Sequence, residues 1–112
     1  MTKEESSEIK FTVHLDENKV PETIEWGASD PGEKGECKAT MINIWDSEAK
    51  NTLRIDLWTK DMEVDDMKIF FHQTLLSMSD TLARATGEEA LATEMRDFAQ
   101  GLGEKMGIIK RG

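Results

Sequence analysis

Two histidines, one cysteine, a few serines and a run of acids are the residues of this 112-residue chain whose types could do chemistry. His14 and His72 stand far apart with no Cys or His at ligand spacing, so the close-set ligand pairs of a zinc site are missing. Asp61, Glu63, Asp65 and Asp66 open like a calcium loop. That loop needs Gly at its sixth position and Glu at its twelfth, where this chain has Asp66 and His72. The acids read instead as the start of a helix, whose dipole favours negative charge in the first turn. Ser77 and Ser79 lie within a helical pattern without the strained G-x-S-x-G turn that exposes a nucleophile. Cys37 has no neighbouring His in sequence. The stretch GASDPGEKG, Gly27 to Gly35, resembles a phosphate loop in its Gly and Lys content. It leads into Glu36-Cys37 and a strand, not into Ser or Thr and a helix. Gly101-Leu102-Gly103 has Met106 where a dinucleotide fingerprint needs its third glycine. Nothing singles out a carboxylate pair. The chain is read as a non-enzyme with no catalytic residue, cofactor or metal.

What remains is interaction chemistry. Seven methionines are many for this length, and Met62, Met67, Met78, Met95 and Met106 all fall on or beside helical patterns. Core packing accounts for most of them, while a pliable groove for a partner segment is the sharper reading. Trp26, Trp45 and Trp58 offer large contact area at low entropic cost. His72 stands beside an apolar helical stripe. The residues expected to bind a partner are therefore Trp26, Trp45, Trp58, Met62 and His72.

The elements that must carry these residues follow from periodicity. Ile9, Phe11, Val13 and Leu15 alternate with polar residues, as do Val20, Ile24 and Trp26 after the turn Asp16 to Lys19, which predicts a hairpin. A third strand, Cys37 to Trp45, is apolar in both phases and is expected to be central or covered on both faces. A fourth, Asn51 to Trp58, places Leu53, Ile55 and Leu57 on one face and Arg54, Asp56 and Trp58 on the other. Met67, Phe70, Phe71, Leu75, Met78, Leu82 and Ala85 then step by threes and fours. They predict an inward stripe on a helix from Glu63 to Ala85, about 35 Å long. Thr86 and Glu89 have the form of a capping box, and Leu91, Met95, Phe98, Leu102 and Met106 predict a second amphipathic helix. The fold expected is α+β: a four-stranded antiparallel sheet followed by two helices packed on one face. A frayed N-terminus over residues 1–7, a single domain over 8–109 and a tail over 110–112 complete it.

Fourteen Lys and Arg against 23 Asp and Glu leave a net charge of −9, which argues against nucleic acid and anionic lipid as partners. Neither a signal peptide nor a membrane span is recognisable, and the lone cysteine fits a reducing compartment, so a cytoplasmic location is expected. The doubly apolar third strand and Trp58 leave apolar surface away from the helices. A homodimer or a client would cover it; a monomer with scattered surface tryptophans is the plainer alternative.

The segments SEIKFTVHLDENKVPETIEW, INIWDSEAKNTLRIDLWTKDMEVDDMKIFFHQTLLSMSDTLARATG and MRDFAQGLGEKMGI together resemble the GldC family, the gliding-motility protein C of Bacteroidetes. The likeness runs from about Glu8 to Ile108 and is most specific through NTLRIDLWTKDM and FFHQTL. It implies a small accessory of the gliding machinery, binding a component of the gliding or secretion apparatus from the cytoplasmic side, without catalytic residues to carry over. A general acidic chaperone-like protein that binds apolar client segments is the other function the sequence supports.

Overall fold

A computed structural model describes residues 5–30 and 32–109 of the chain. Residues 1–4 of the expected frayed terminus, and the expected tail over 110–112, lie outside the described residues. The chain divides into two compact units, Met1–Met62 and Glu63–Gly112.

The first unit is all antiparallel strand: β1 (Ile9–Leu15), β2 (Pro21–Ala28), β3 (Glu33–Cys37), β4 (Ala39–Asp46) and β5 (Asn51–Trp58). They form a three-stranded sheet in the order β1-β2-β3 and a separate ribbon of β4 and β5. The expectation of one four-stranded sheet is thus corrected to five strands in two sheets. The additional strand is β3, which begins inside the stretch that composition marks as loop. Glu33, Lys34 and Gly35 are weak strand formers, but β2 offers them a pairing edge, with Ala28 opposite Glu33, Gly27 opposite Lys34 and Trp26 opposite Gly35. Pairing context overrides propensity here. The Trp26 indole lies so close over Gly35 that a Cβ there would stand 3.2 Å from its Nε1. A side chain at position 35 would crowd the ring. Gly32, at φ 89°, completes the turn into β3.

The long third strand expected from the sequence is broken at Lys38, which stands alone between β3 and β4. The Lys38 carbonyl accepts the Thr59 amide at 2.8 Å, and Lys60 N–H donates to the Pro21 carbonyl at 3.1 Å. That corner ends the first sheet and starts the second. β4, expected to be central, instead has β5 as its partner in a two-stranded ribbon.

The β1–β2 turn and the β4–β5 turn are each built by an aspartate. Asp16 Oδ1 accepts the amides of Asn18 and Val20, and Asp46 Oδ1 accepts those of Glu48 and Ala49. This is the local hydrogen bonding that makes aspartate a turn former. Each turn also holds a lysine at positive φ, Lys19 at 61° and Lys50 at 53°.

The second unit is a helical hairpin, α1 (Val64–Thr86) and α2 (Glu89–Lys105). Asp65 and Asp66 sit in the first turn of α1 and Arg84 in its last, and Gly87 closes it at φ 74° with its amide on the Ala83 carbonyl. Only a glycine takes that left-handed position without cost. The expected capping box does not form. Thr86 is still helical, and its hydroxyl donates to the Leu82 carbonyl at 2.6 Å while accepting the Glu88 amide at 3.1 Å.

The hairpin seam differs from the stripe expected for it. The buried residues of α1 are His72 and Ser79, and those of α2 are Ala92, Ala99 and Gly103. Phe71, Met78 and Ala85, assigned to the inward stripe, are exposed. Two contacts fix the register. A Cβ at Gly103 would lie 2.7 Å from His72 Nε2, and Arg96 pairs with Asp80 at 3.0 Å. The residue numbers of these pairs sum to 175 and 176, the near-constant sum of antiparallel neighbours. Small residues let the two backbones approach closely, and the Ser79 hydroxyl is satisfied within its own helix by the Leu76 carbonyl. At the far end Ile108 and Ile109 both donate to the Gly103 carbonyl, so the chain folds back over α2.

Candidate functional site

The ribbon of β4 and β5 carries two of the three tryptophans. Cross-strand register places Thr40 with Leu57, Ile42 with Ile55 and Ile44 with Leu53 on one face. On the other, Ala39 stands opposite Trp58, Met41 opposite Asp56, Asn43 opposite Arg54 and Trp45 opposite Thr52. The second face therefore holds an indole at each end, about 20 Å apart along β4 at the strand rise. Between them the Arg54 guanidinium pairs with Asp56 at 3.0 Å. Trp45 is 61% exposed and Trp58 55%. The opposite face is nearly as open, with Ile44, Leu53 and Ile55 all close to half exposed. Two-stranded ribbons are marginal unless an apolar face is covered, and both faces of this one carry apolar side chains that stand open.

The other expected partner-binding residues lie elsewhere. Trp26 is half-buried on the apolar face of the three-stranded sheet, in one row with Phe11 and Gly35. Met62 is half-buried in the turn after β5, its amide donating to the Thr59 carbonyl. His72 belongs to the helical unit and is buried in the seam, not beside the stripe where it was expected. It is 6% exposed, and its Nε2 has no hydrogen-bond partner. The pattern that marks the seam is visible in the sequence: His72 to Ser79 and Ala92 to Ala99 are each one step of seven.

A polar cluster occupies the corner where the two sheets meet. Lys60 Nζ lies 3.1 Å from Asp16 Oδ2 and 3.5 Å from Glu22 Oε1. Lys38 Nζ lies 3.4 Å from Asp61, which also accepts the Thr59 hydroxyl at 2.6 Å. The Val20 amide and Lys60 hold the Asp16 carboxyl below its ordinary value. The Thr59 hydroxyl and Lys38 do the same for Asp61. Beside the cluster is a shallow cavity of about 260 Å³, lined by Glu22, Thr23, Glu36, Cys37, Lys38 and Asp61. Burial pushes the Cys37 thiol up, partly offset by the Ala39 amide. That is the opposite of the lowered value a nucleophilic cysteine needs. Glu22 and Asp61 are committed to lysines, so the corner reads as a structural clasp. His14 Nε2 lies 3.4 Å from Glu25 on the open face of β1 and β2. Among the described residues, no three His, Cys, Asp or Glu side chains are grouped to hold a metal ion. No described helix is long and apolar enough to cross a membrane.

Against known families, a model described as gliding motility-associated protein GldC-like matches residues 21–108. The chain belongs to the GldC-like family. The match takes in β2 to β5 and both helices, and so includes Trp26, both ribbon tryptophans and the hairpin. No curated protein and no solved structure matches the chain. The family associates this GldC-like chain with gliding motility, and what it contacts there must be argued from its surfaces.

Proposed function

We propose that this GldC-like protein is a non-enzymatic accessory of bacterial gliding motility that works in the cytoplasm. It binds a protein component of the gliding or secretion machinery through the tryptophan-bearing face of its β4–β5 ribbon. The family match supplies the motility context. The observation that carries the binding reading is the pair of exposed indoles, Trp45 and Trp58, at the two ends of one ribbon face. Exposed tryptophans around a paired Arg54 and Asp56 have the composition of an interface centre, with aromatic and arginine side chains enriched.

The experiment is affinity capture from a gliding bacterium with the wild-type chain, Trp45→Ala and Trp58→Ala. The wild type should retain a gliding or secretion protein, and each substitution should weaken that capture at least tenfold while leaving the β-sheet signal intact. Capture that is absent, or indifferent to both substitutions, contradicts the proposal. The second reading, a chaperone-like binder of apolar client segments, draws on the open apolar side chains of both ribbon faces. It predicts suppression of aggregation of unrelated model clients, and failure to suppress it removes that reading.

A further inference from the structure

We infer that the outer edge of β4 is a strand-addition site, which takes one extended, uncharged segment of the protein partner and completes the ribbon as a three-stranded sheet. The inference rests on the partner reading above and names how that partner engages the ribbon. Backbone geometry defines the edge. The Thr59 amide donates to the Lys38 carbonyl at 2.8 Å, and the pair 38 and 59 continues the register of Ala39 with Trp58. In an antiparallel ladder, hydrogen-bonded pairs alternate with open ones. Thr40, Ile42 and Ile44 therefore turn their N–H and C=O groups to β5, while Met41, Asn43 and Trp45 turn theirs away from it. The Ala39 amide is held by the Cys37 sulfur. Among the described residues, no backbone group outside the ribbon bonds to Met41, Asn43 or Trp45.

The other strand edges are guarded and this one is not. Natural sheets blunt their edges with short strands, charge, proline or bulges. β1 carries Lys10 and a register shift between His14 and Leu15. β3 has five residues. The Ser29 amide on the Glu8 carbonyl sets the alternation of the first sheet, so Ile24 with Cys37, Trp26 with Gly35 and Ala28 with Glu33 are the bonded pairs. The residues of β3 that turn outward are then Lys34 and Glu36, both charged. The outer edge of β5 carries Arg54 and Asp56. β4 keeps an unbroken register with β5 from Ala39 to Asp46, and from Ala39 to Trp45 it has neither charge, proline nor glycine.

Backbone chemistry selects the occupant. The amides and carbonyls of Met41, Asn43 and Trp45 stand in a row at intervals of about 7 Å, a spacing that another extended strand matches. The helical unit cannot supply that ladder: its described elements are helices, whose backbone groups bond within their own turns. An apolar partner without a free backbone would bury the edge groups unpaired, at a cost. A two-stranded ribbon is marginal by itself, and a third strand stabilises it. Repulsion between chains of net charge −9 disfavours the β4 edge of a second copy as that strand. Side chains set the composition of the segment. It would lie beside Met41 and Trp45 on the tryptophan face and beside Ile42 and Ile44 on the other. An uncharged stretch of about five residues, β-branched or aromatic in both phases, pairs best with those neighbours.

The test compares affinity capture from a gliding bacterium by wild type, Asn43→Pro and Glu36→Pro, and then reads amide hydrogen exchange of wild type with the captured protein bound. Asn43→Pro removes an outward amide and leaves every β4–β5 hydrogen bond in place, as an edge strand permits; Glu36→Pro does the same on β3. Asn43→Pro should weaken capture about tenfold or more, and Glu36→Pro should leave it unchanged, both with the β-sheet circular dichroism of wild type. In the wild-type complex the amides of Met41, Asn43 and Trp45 should exchange about tenfold or more slowly than in the free chain. No slowing at those amides overturns the inference whatever Asn43→Pro does to capture, and if Trp45→Ala still abolishes capture the tryptophan-face reading stands without it. Capture absent from wild type overturns both. A free chain that runs at twice 12.7 kDa with the same amides already protected makes a second copy the occupant and overturns the inference too.

Discussion

Two glycines two residues apart in α2 respond oppositely to the same substitution. Alanine in place of glycine within a helix is favourable by about 1 kcal/mol on propensity alone. At Gly101 a Cβ meets nothing within 4 Å, so Gly101→Ala should gain most of that, about 0.5–1 kcal/mol. At Gly103 the same Cβ would stand 2.7 Å from His72 Nε2, 2.9 Å from His72 Cδ2 and 2.8 Å from Ile109 Cδ1. The Ile109 methyl is a chain end and can rotate away. The His72 ring is buried in the seam, so the helices themselves must separate. Overpacking of this kind costs about 1–3 kcal/mol. With two ring atoms involved, the upper part of that range applies, and Gly103→Ala should destabilise by a net of about 1–2 kcal/mol. Urea unfolding followed at 222 nm, at one fixed protein concentration, reads both changes. In a His72→Ala background the clash is gone, and Gly103→Ala should become neutral or stabilising, a coupling that a double-mutant cycle reports. If Gly101→Ala and Gly103→Ala stabilise equally in the wild-type background, the close seam at His72 is refuted.

Three further outcomes test the first unit. Gly35→Ala should destabilise the three-stranded sheet by about 1 kcal/mol, because its Cβ presses on the Trp26 indole; a shift in tryptophan fluorescence should accompany the change. Lys50→Gly should stabilise by about 0.5–1 kcal/mol, since Lys50 holds φ at 53° in a region that costs a side-chain-bearing residue energy; thermal unfolding checks the direction. The carboxyls of Asp16 and Asp61 titrate below their ordinary value of 3.8 in the folded chain. Their contribution to stability is therefore full above about pH 4 and falls away as pH drops below 3.8 through the lowered folded value. Asp16→Asn should flatten that acid limb, and an unchanged limb in both the Asp16→Asn and Asp61→Asn chains contradicts the clasp.

The strands that alternate cleanly were legible from the sequence because burial on one face imposes a period of two. The facing of Phe11 and Val13 against Trp26 and the fully buried Ile24 is such a case. β3 was not, because Glu33, Lys34 and Gly35 pair with β2 for reasons that lie in β2. The break at Lys38 was hidden for a related reason. A strand apolar in both phases looks central, whereas β4 has one strand partner and open faces. Both helices were legible from their stripes, and Gly87 from its position after Arg84. The seam was missed because hydrophobicity points to Phe71 and Met78, while the helices approach through His72, Ser79, Ala92, Ala99 and Gly103. Those residues are small or polar, and the steps of seven from His72 to Ser79 and from Ala92 to Ala99, with Gly103 four further on, were the signal. Of the residues expected to bind a partner, Trp45 and Trp58 share one ribbon face, Trp26 and Met62 lie half-buried elsewhere in that unit, and His72 is sealed in the seam. The sequence pattern did not show that His72 points into the seam and not to the flank of its helix.

The claim that this GldC-like chain acts by presenting its ribbon tryptophans to a protein partner is tested most directly by photocrosslinking in living, gliding cells. A crosslinking amino acid would be placed in turn at positions 45 and 58, and at position 10 on the polar face of β1. Positions 45 and 58 should each give the same discrete adduct with a gliding or secretion protein, and position 10 should give none. No adduct from either ribbon position, or the same adduct from all three, would contradict the account.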